Sequence, residues 1–408
     1  MEPDGRIRTL HLVSSLHRRG AQVCAALLVD HLSRDEFQPA VWAIDPGLPS
    51  GGIMPARTPV LSSNAPGGMR FRRFHAFSEL VGALRTLRPH IVHAHGGRAL
   101  KYAVATKPFW RARGYVYTKI GSIRPWLDHP VKRRFYGILF ENVDAIISVA
   151  DVLREEIEVA FHPVRPRLTT IHTGVDPRPF VEITPARVAA TRAQLGLERA
   201  DICLMMVGSL SWEKNPRLLI ALLGEVAAEH PGMRLVLVGE GPLEPAMRQE
   251  ALQAGLQERI RFLGVREDIV ELLSAADIVV SCSRTEGLPG VLIEAGMASR
   301  PVVAFDVGAV NEIVADGVSG FVVPAGNGTM LQERVLRLIR EPVLRAAMGR
   351  EARAKCRAKF DVHRYIEQHE ALFRELMHHS GPAPFNAAEA MPLADRPASP
   401  ALMSRGGR

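Results

Sequence analysis

The chain has 408 residues, 47% hydrophobic and 23% charged, the make-up of a folded protein with room for two full cores and not of a disordered or fibrous one. No apolar run reaches the length of a membrane span, and MEPDGRIR at the start carries acidic residues where a signal peptide is basic, so a cytoplasmic protein is expected. The net charge of +8 is uneven, because residues 1–182 hold 25 Lys and Arg against 16 Asp and Glu while residues 183–408 hold 26 against 27.

That imbalance fits an anionic partner for the first half, and a solvated arginine-rich face accounts for it as well. In chain order, residues 9–16 read as a first strand and 20–32 as a helix opening on Gly20. Gly20 lets the backbone approach a ligand, or serves a tight turn with none. Further strands are expected at 40–44, 91–95, 115–120, 145–149 and 168–172, with helices between them, notably 74–87 and 132–141. This is the alternation of a doubly wound parallel sheet. HIVHAHGG (90–97) sets His93 and His95 on one strand face, and His95 is the one nearer the carboxyl end and so nearer a cleft. A hydrogen-bonded core histidine is the plainer reading of the same residue.

HTGVDPRPF (172–180), with one glycine and two prolines, breaks the alternation and marks a domain boundary. The pattern restarts with strands at 202–207, 235–238, 260–263, 278–281, 302–305 and 321–323. A helical stretch follows over 343–377, and the proline-rich end reads as disordered. The four cysteines, Cys24, Cys203, Cys282 and Cys356, are scattered, without disulfide or metal spacing, and read as small core residues.

Three strand ends of the second half converge on one chemistry. VGSLSWEKN (207–215) offers Gly208 and Ser209 in a loop with Lys214 as a phosphate cation, and VGEGP (238–242) offers Gly239 and Gly241. DIVVSCSRTEGLPGVLIEAGMA (277–298) runs from a strand through a turn into a helix. The backbone of Gly287, Leu288, Pro289, Gly290 and Val291 opens that helix, and free amides there suit a phosphate. Glu286 and Glu294 flank the same turn and invite hydroxyls. A ligand with a diphosphate in the middle and hydroxyls at both ends, a nucleotide sugar, meets both demands. No Asp-x-Asp occurs, so no metal is expected at the diphosphate, and VGEGPLE lacks the third glycine of the dinucleotide fingerprint.

These pieces, with GVD (174–176), VGAVNEIV (307–314) and DGVSGFVVPAGN (316–327), resemble the donor domain of the retaining glycosyltransferases of family 4, which have the GT-B fold. The resemblance is strong over about 174–327 and covers the first half only by layout. It implies two Rossmann-like α/β domains facing across a cleft: an acceptor domain over 1–177, a donor domain over 178–360, a helix over 361–379 crossing back to the first domain, and a tail over 380–408. It also implies that Glu286 contacts the transferred sugar, Glu294 the ribose and Lys214 the diphosphate of a UDP- or GDP-sugar. No separate cofactor is implied. Two departures stand out. Ser209 occupies a position usually held by arginine, and Ile120, in YTKIGS (117–122), one usually held by histidine, so neither role carries over.

The expectation is therefore a metal-independent transferase moving a sugar to an acceptor hydroxyl, with catalytic positions Glu286, Lys214 and His95, acting in polysaccharide or glycolipid synthesis. A sugar-nucleotide 2-epimerase and a non-catalytic partner protein share the fold and are the alternatives. Basic residues interleaved with aromatics at 70–74, 107–113 and 132–136 imply a peripheral protein at the inner membrane face with an anionic, lipid-linked acceptor. No nucleic-acid-binding motif accompanies the charge.

Overall fold

The computed structural model describes residues 5–17, 20–45, 55–63, 69–123, 129–161 and 166–378, so the tail expected to be disordered lies outside it. Seven strands form the first sheet: β1 (Ile7–Val13), β2 (Phe37–Ala43), β3 (Val60–Ser62), β4 (Ile91–His95), β5 (Gly114–Lys119), β6 (Ala145–Ser148) and β7 (Arg167–Thr170). Their spatial order is β3-β2-β1-β4-β5-β6-β7. The second sheet has β8 (Ile202–Val207), β9 (Met233–Val238), β10 (Ile260–Phe262), β11 (Ile278–Ser281), β12 (Val302–Phe305) and β13 (Gly320–Val323), in the order β10-β9-β8-β11-β12-β13. Neighbouring strands pair in parallel in both sheets.

Parallel strands covered by helices on both faces need apolar residues without alternation, and β8 (ICLMMV) shows how they are used. Leu204 and Met206 enter the core on one side of the second sheet, and Cys203 and Met205 enter the other. Each large apolar side chain so buried contributes about 1.5–3 kcal/mol. All four cysteines are buried and free.

The first sheet ends at Thr170, whereas Phe180 already packs in the core of the second domain. The 343–377 stretch is two helices, Pro342–Phe360 and Val362–His378, parted by Asp361 in an extended conformation (φ −68°, ψ 139°). The break returns the chain to the first domain. Val175 donates to Phe360 O (2.8 Å) and accepts from Val362 N (3.2 Å), so the outgoing and returning chains are tied together. Beyond it Val362, Tyr365, Ile366, Leu372 and Phe373 pack on Leu28, Ile91, Val116 and Ile147 of the first domain. Among the described residues no helix is long and apolar enough to cross a membrane.

Candidate active site

Open parallel sheets bind ligands beyond the carboxyl ends of their strands, where the order reverses. In the second sheet that point lies between β8 and β11, flanked by the loops 208–216 and 282–289. In the first sheet it lies between β1 and β4. The loops of the two domains meet: a Cβ placed on Gly287 would stand 2.3 Å from Ile120 O, so only glycine allows this approach. Leu288 packs beside Ile120 with Val149, Ala150, Leu153 and Ala309 in a small cluster that joins the domains. The two crevices thus face one another.

Inside the second crevice Lys214 Nζ contacts Glu286 Oε1 at 2.5 Å, with the side chains 28% and 10% exposed. The sequence placed this lysine on the diphosphate and this carboxylate on the sugar, and without a ligand each is the counter-ion of the other. Glu294 is half-buried one turn inside the helix Gly290–Met297. Among the described residues Pro289 begins that helix with no side-chain cap, and a Cβ on Gly290 would meet nothing within 4 Å, which leaves room beside the first turn. Uncapped amides with room beside them are what an anion needs. Val291, one residue on, turns instead into the second domain's core.

The other glycines divide by cause. Gly239, at φ +121°, would carry a Cβ only 2.1 Å from Gly208 O, and on Gly241 one would stand 2.4 Å from Leu210 O. Both are required where the β8 and β9 loops touch, a reason within the fold itself. Gly208 donates to Val238 O (2.8 Å), and Ser209 is exposed with its hydroxyl 3.0 Å from that of Ser211. At Gly20 a Cβ would meet the Ile120 side chain at an ordinary 3.7 Å, so packing does not demand that glycine.

His95 is corrected by the structure. It is 1% exposed, its Nε2 lies 3.2 Å from His11 Nδ1, and the helix Val362–His378 covers its face of the sheet, so it is core and not cleft. Proximity to a strand end did not reveal which face a helix more than 260 residues later would cover.

Two features escaped the sequence reading. Arg284, next to the strand end of β11, lies over the Trp212 ring (4.9 Å) and donates to Asn215 Oδ1 (3.3 Å), which sets a second cation on the Lys214 loop. Glu312, inside the quoted VGAVNEIV motif, accepts from the Val152 amide (3.0 Å) and Lys359 Nζ (3.2 Å) and lies 2.7 Å from His172 Nε2. Burial alone would raise its carboxyl, but the bonds from His172 and the Val152 and Asp151 amides, with Lys359 nearby, hold it down at about 2.

Two Rossmann-like domains with facing crevices and a terminal helix returned to the first domain define the GT-B class. HepE from Anabaena, solved with UDP and glucose, shares this fold at a TM-score of 0.78 and 23% identity over 91% of this chain and 100% of its own. WaaG, a glycosyltransferase involved in lipopolysaccharide biosynthesis, does so at 0.70 and 16% over 90% and 99%. The description "Glycosyltransferase Family 4" matches residues 18–178, and "Glycosyl transferases group 1" matches 188–355. The chain belongs to the family 4 type of GT-B glycosyltransferases. Relatives include EpsD of Bacillus subtilis, 28% identical over 74% of this chain and 80% of its own length. A GDP-mannose-dependent monoacylated alpha-(1-6)-phosphatidylinositol monomannoside mannosyltransferase of Corynebacterium glutamicum is 30% identical over 58% and 63%.

Proposed function

We propose that this glycosyltransferase moves a sugar from a UDP- or GDP-sugar to an acceptor hydroxyl with retention of configuration and without a metal at the diphosphate. The observation that carries this is the Lys214–Glu286 pair beside the uncapped start of the helix Gly290–Met297. An arriving diphosphate is a better counter-ion for Lys214 than Glu286 is, and the helix amides add to the attraction. Glu286, released, accepts hydrogen bonds from the sugar, and Glu294 takes the ribose hydroxyls. Arg284, held on the Lys214 loop by Asn215, compensates for the arginine that Ser209 replaces. The bond from the anomeric carbon to the diphosphate breaks, the acceptor oxygen bonds to that carbon from the same face, and the acceptor proton passes to the leaving diphosphate oxygen. Lys214 and the amides stabilise the charge that develops there.

The acceptor reading, an anionic and lipid-linked substrate met at the inner membrane face in polysaccharide or glycolipid synthesis, rests on the helix Pro130–Glu141. Val131, Phe135 and Ile138 recur on one side of it at 70%, 44% and 51% exposure, beside exposed Lys132, Arg133 and Arg134. Apolar side chains framed by cations suit the boundary of an anionic bilayer. No nucleic acid enters this reading.

The test is incubation with UDP-glucose and GDP-mannose, with and without a membrane extract as acceptor, following released nucleoside diphosphate and the anomeric configuration of the product. Acceptor-stimulated release that survives a brief EDTA treatment is expected. Epimerised donor formed without acceptor would replace this reading with the epimerase, and release that EDTA stops and Mn²⁺ restores would remove the metal-free step.

A further inference from the structure

Four imidazoles lie together where the first sheet meets the helix Val362–His378. His11 of β1 stands opposite His93 of β4 in the parallel register, and His95 lies two residues beyond His93, so all three point to one face of the sheet. His369 comes down on them from the helix, its ring 5.7 Å from that of His93. None of the four is more than 1% exposed.

Their hydrogen bonds do not close. His11 meets Thr9 Oγ1 (2.9 Å) and His95 Nε2 (3.2 Å), His93 Nε2 meets Thr118 Oγ1 (2.7 Å), and His369 Nδ1 donates to Tyr365 O (2.8 Å). Among the described residues His93 Nδ1, His95 Nδ1 and His369 Nε2 have no partner. Each buried, unpaired polar atom costs about 1–3 kcal/mol, and a core needing only volume would take leucine or phenylalanine, as it does beside them at Phe37 and Phe373.

We propose that His11, His93 and His95 hold one transition-metal ion of the zinc class. One nitrogen from each of the three sheet histidines already lies within 4.8 Å of the others. Four-coordinate zinc with Zn–N near 2.0–2.1 Å requires about 3.3 Å between donors, a difference that small ring rotations cover. The site lies under the returning helix, so the ion is a structural fastening that ties β1 to β4 beneath it. The other group of possible ligands among the described residues, Asp151, His172 and Glu312, already has Lys359 and a backbone amide as partners and needs no ion.

The test uses the full chain without a histidine tag, purified without chelator and analysed for metals, then unfolded, stripped and refolded with Co²⁺. Roughly one Zn²⁺ or similar ion per chain is expected, and the refolded protein should show the visible absorption of four-coordinate Co²⁺ with nitrogen ligands. His93→Phe and His11→Phe, which fill the space, should lose the metal and keep their circular dichroism, whereas His172→Gln should retain it. Wild type that carries no transition metal as purified and takes up no Co²⁺ on refolding overturns the site. Equal metal in wild type and His93→Phe overturns it too. If the phenylalanine variants do not fold, the wild-type cobalt spectrum decides alone.

Discussion

At the scale of single residues, the informative pair is Lys214 and Glu286, two groups read from the sequence as belonging to different ends of one ligand and found in contact. A carboxylate only 10% exposed needs a counter-charge, and here Lys214, the cation proposed for the diphosphate, supplies it. Glu286→Gln should therefore lower turnover while UDP or GDP still binds. Lys214→Ala should lose both turnover and diphosphate affinity, since it removes the cation and strands the carboxylate. Glu294→Ala should weaken the free nucleotide itself by about 1.5–3 kcal/mol, roughly ten- to a hundredfold in Kd. Calorimetric titration with nucleoside diphosphate separates the three; unchanged affinity in the Glu294 variant would remove the ribose assignment. Lys214 and Glu286 could be singled out because each sits in a short loop after an apolar run, and Glu294 because it follows in the helix that the same turn opens. Glu312 was not, because its partners Val152 and His172 are 160 and 140 residues away and only the closed pair of domains brings them together.

Among the elements, central strands were the most legible: β8, β11 and β12 are apolar almost throughout and β4 (IVHAH) sets apolar residues around its two histidines, and the structure begins and ends all four where the sequence does. The short strand β3, half-exposed at the sheet edge, has no such run and was missed. The division of 343–377 at Asp361 carries no proline or glycine to mark it; the resemblance alone implied it, by ending the donor domain at 360 and starting the crossing helix at 361, and the pairing with Val175 accompanies it. The helix Pro130–Glu141 is the element whose outer face the fold leaves unexplained. Lys132 and Arg134 are the charges to test, because Arg133 is engaged in a bond from Nε to Ala160 O (3.1 Å). Near an anionic surface each cation adds about 1 kcal/mol. Lys132→Glu with Arg134→Glu should shift the protein from pellet to supernatant in sedimentation with anionic vesicles at low salt, and Phe135→Ser should weaken binding with less dependence on salt. Equal recovery of wild type with anionic and neutral vesicles would leave a soluble acceptor as the better reading.

For the whole molecule, the question is what holds the two domains at the angle that makes one cleft. Among the described residues one apolar cluster joins them, with Leu288 and Ala309 against Ile120, Val149, Ala150, Val152 and Leu153. Glu312 adds a polar tie: one carboxylate of the second domain receives the Val152 amide, His172 and Lys359, and so joins the first domain, the end of its last strand and the helix that leads to the crossover. Its carboxyl is held at about 2 against an ordinary 4.5, and a depressed carboxylate contributes stability that is fully present above the unfolded value and is lost as the pH falls through the folded one. The window is therefore about pH 4.5 down to 2, and the contribution at neutral pH is of the order of 3 kcal/mol. Glu312→Gln should unfold at lower urea concentration than wild type at neutral pH, and the gap between the two should shrink as the pH falls through that window, because wild type then loses the same charge. An offset as large in acid as at neutral pH would mean that the substitution acts through packing, and the ionised carboxylate would no longer be what sets the domains against each other.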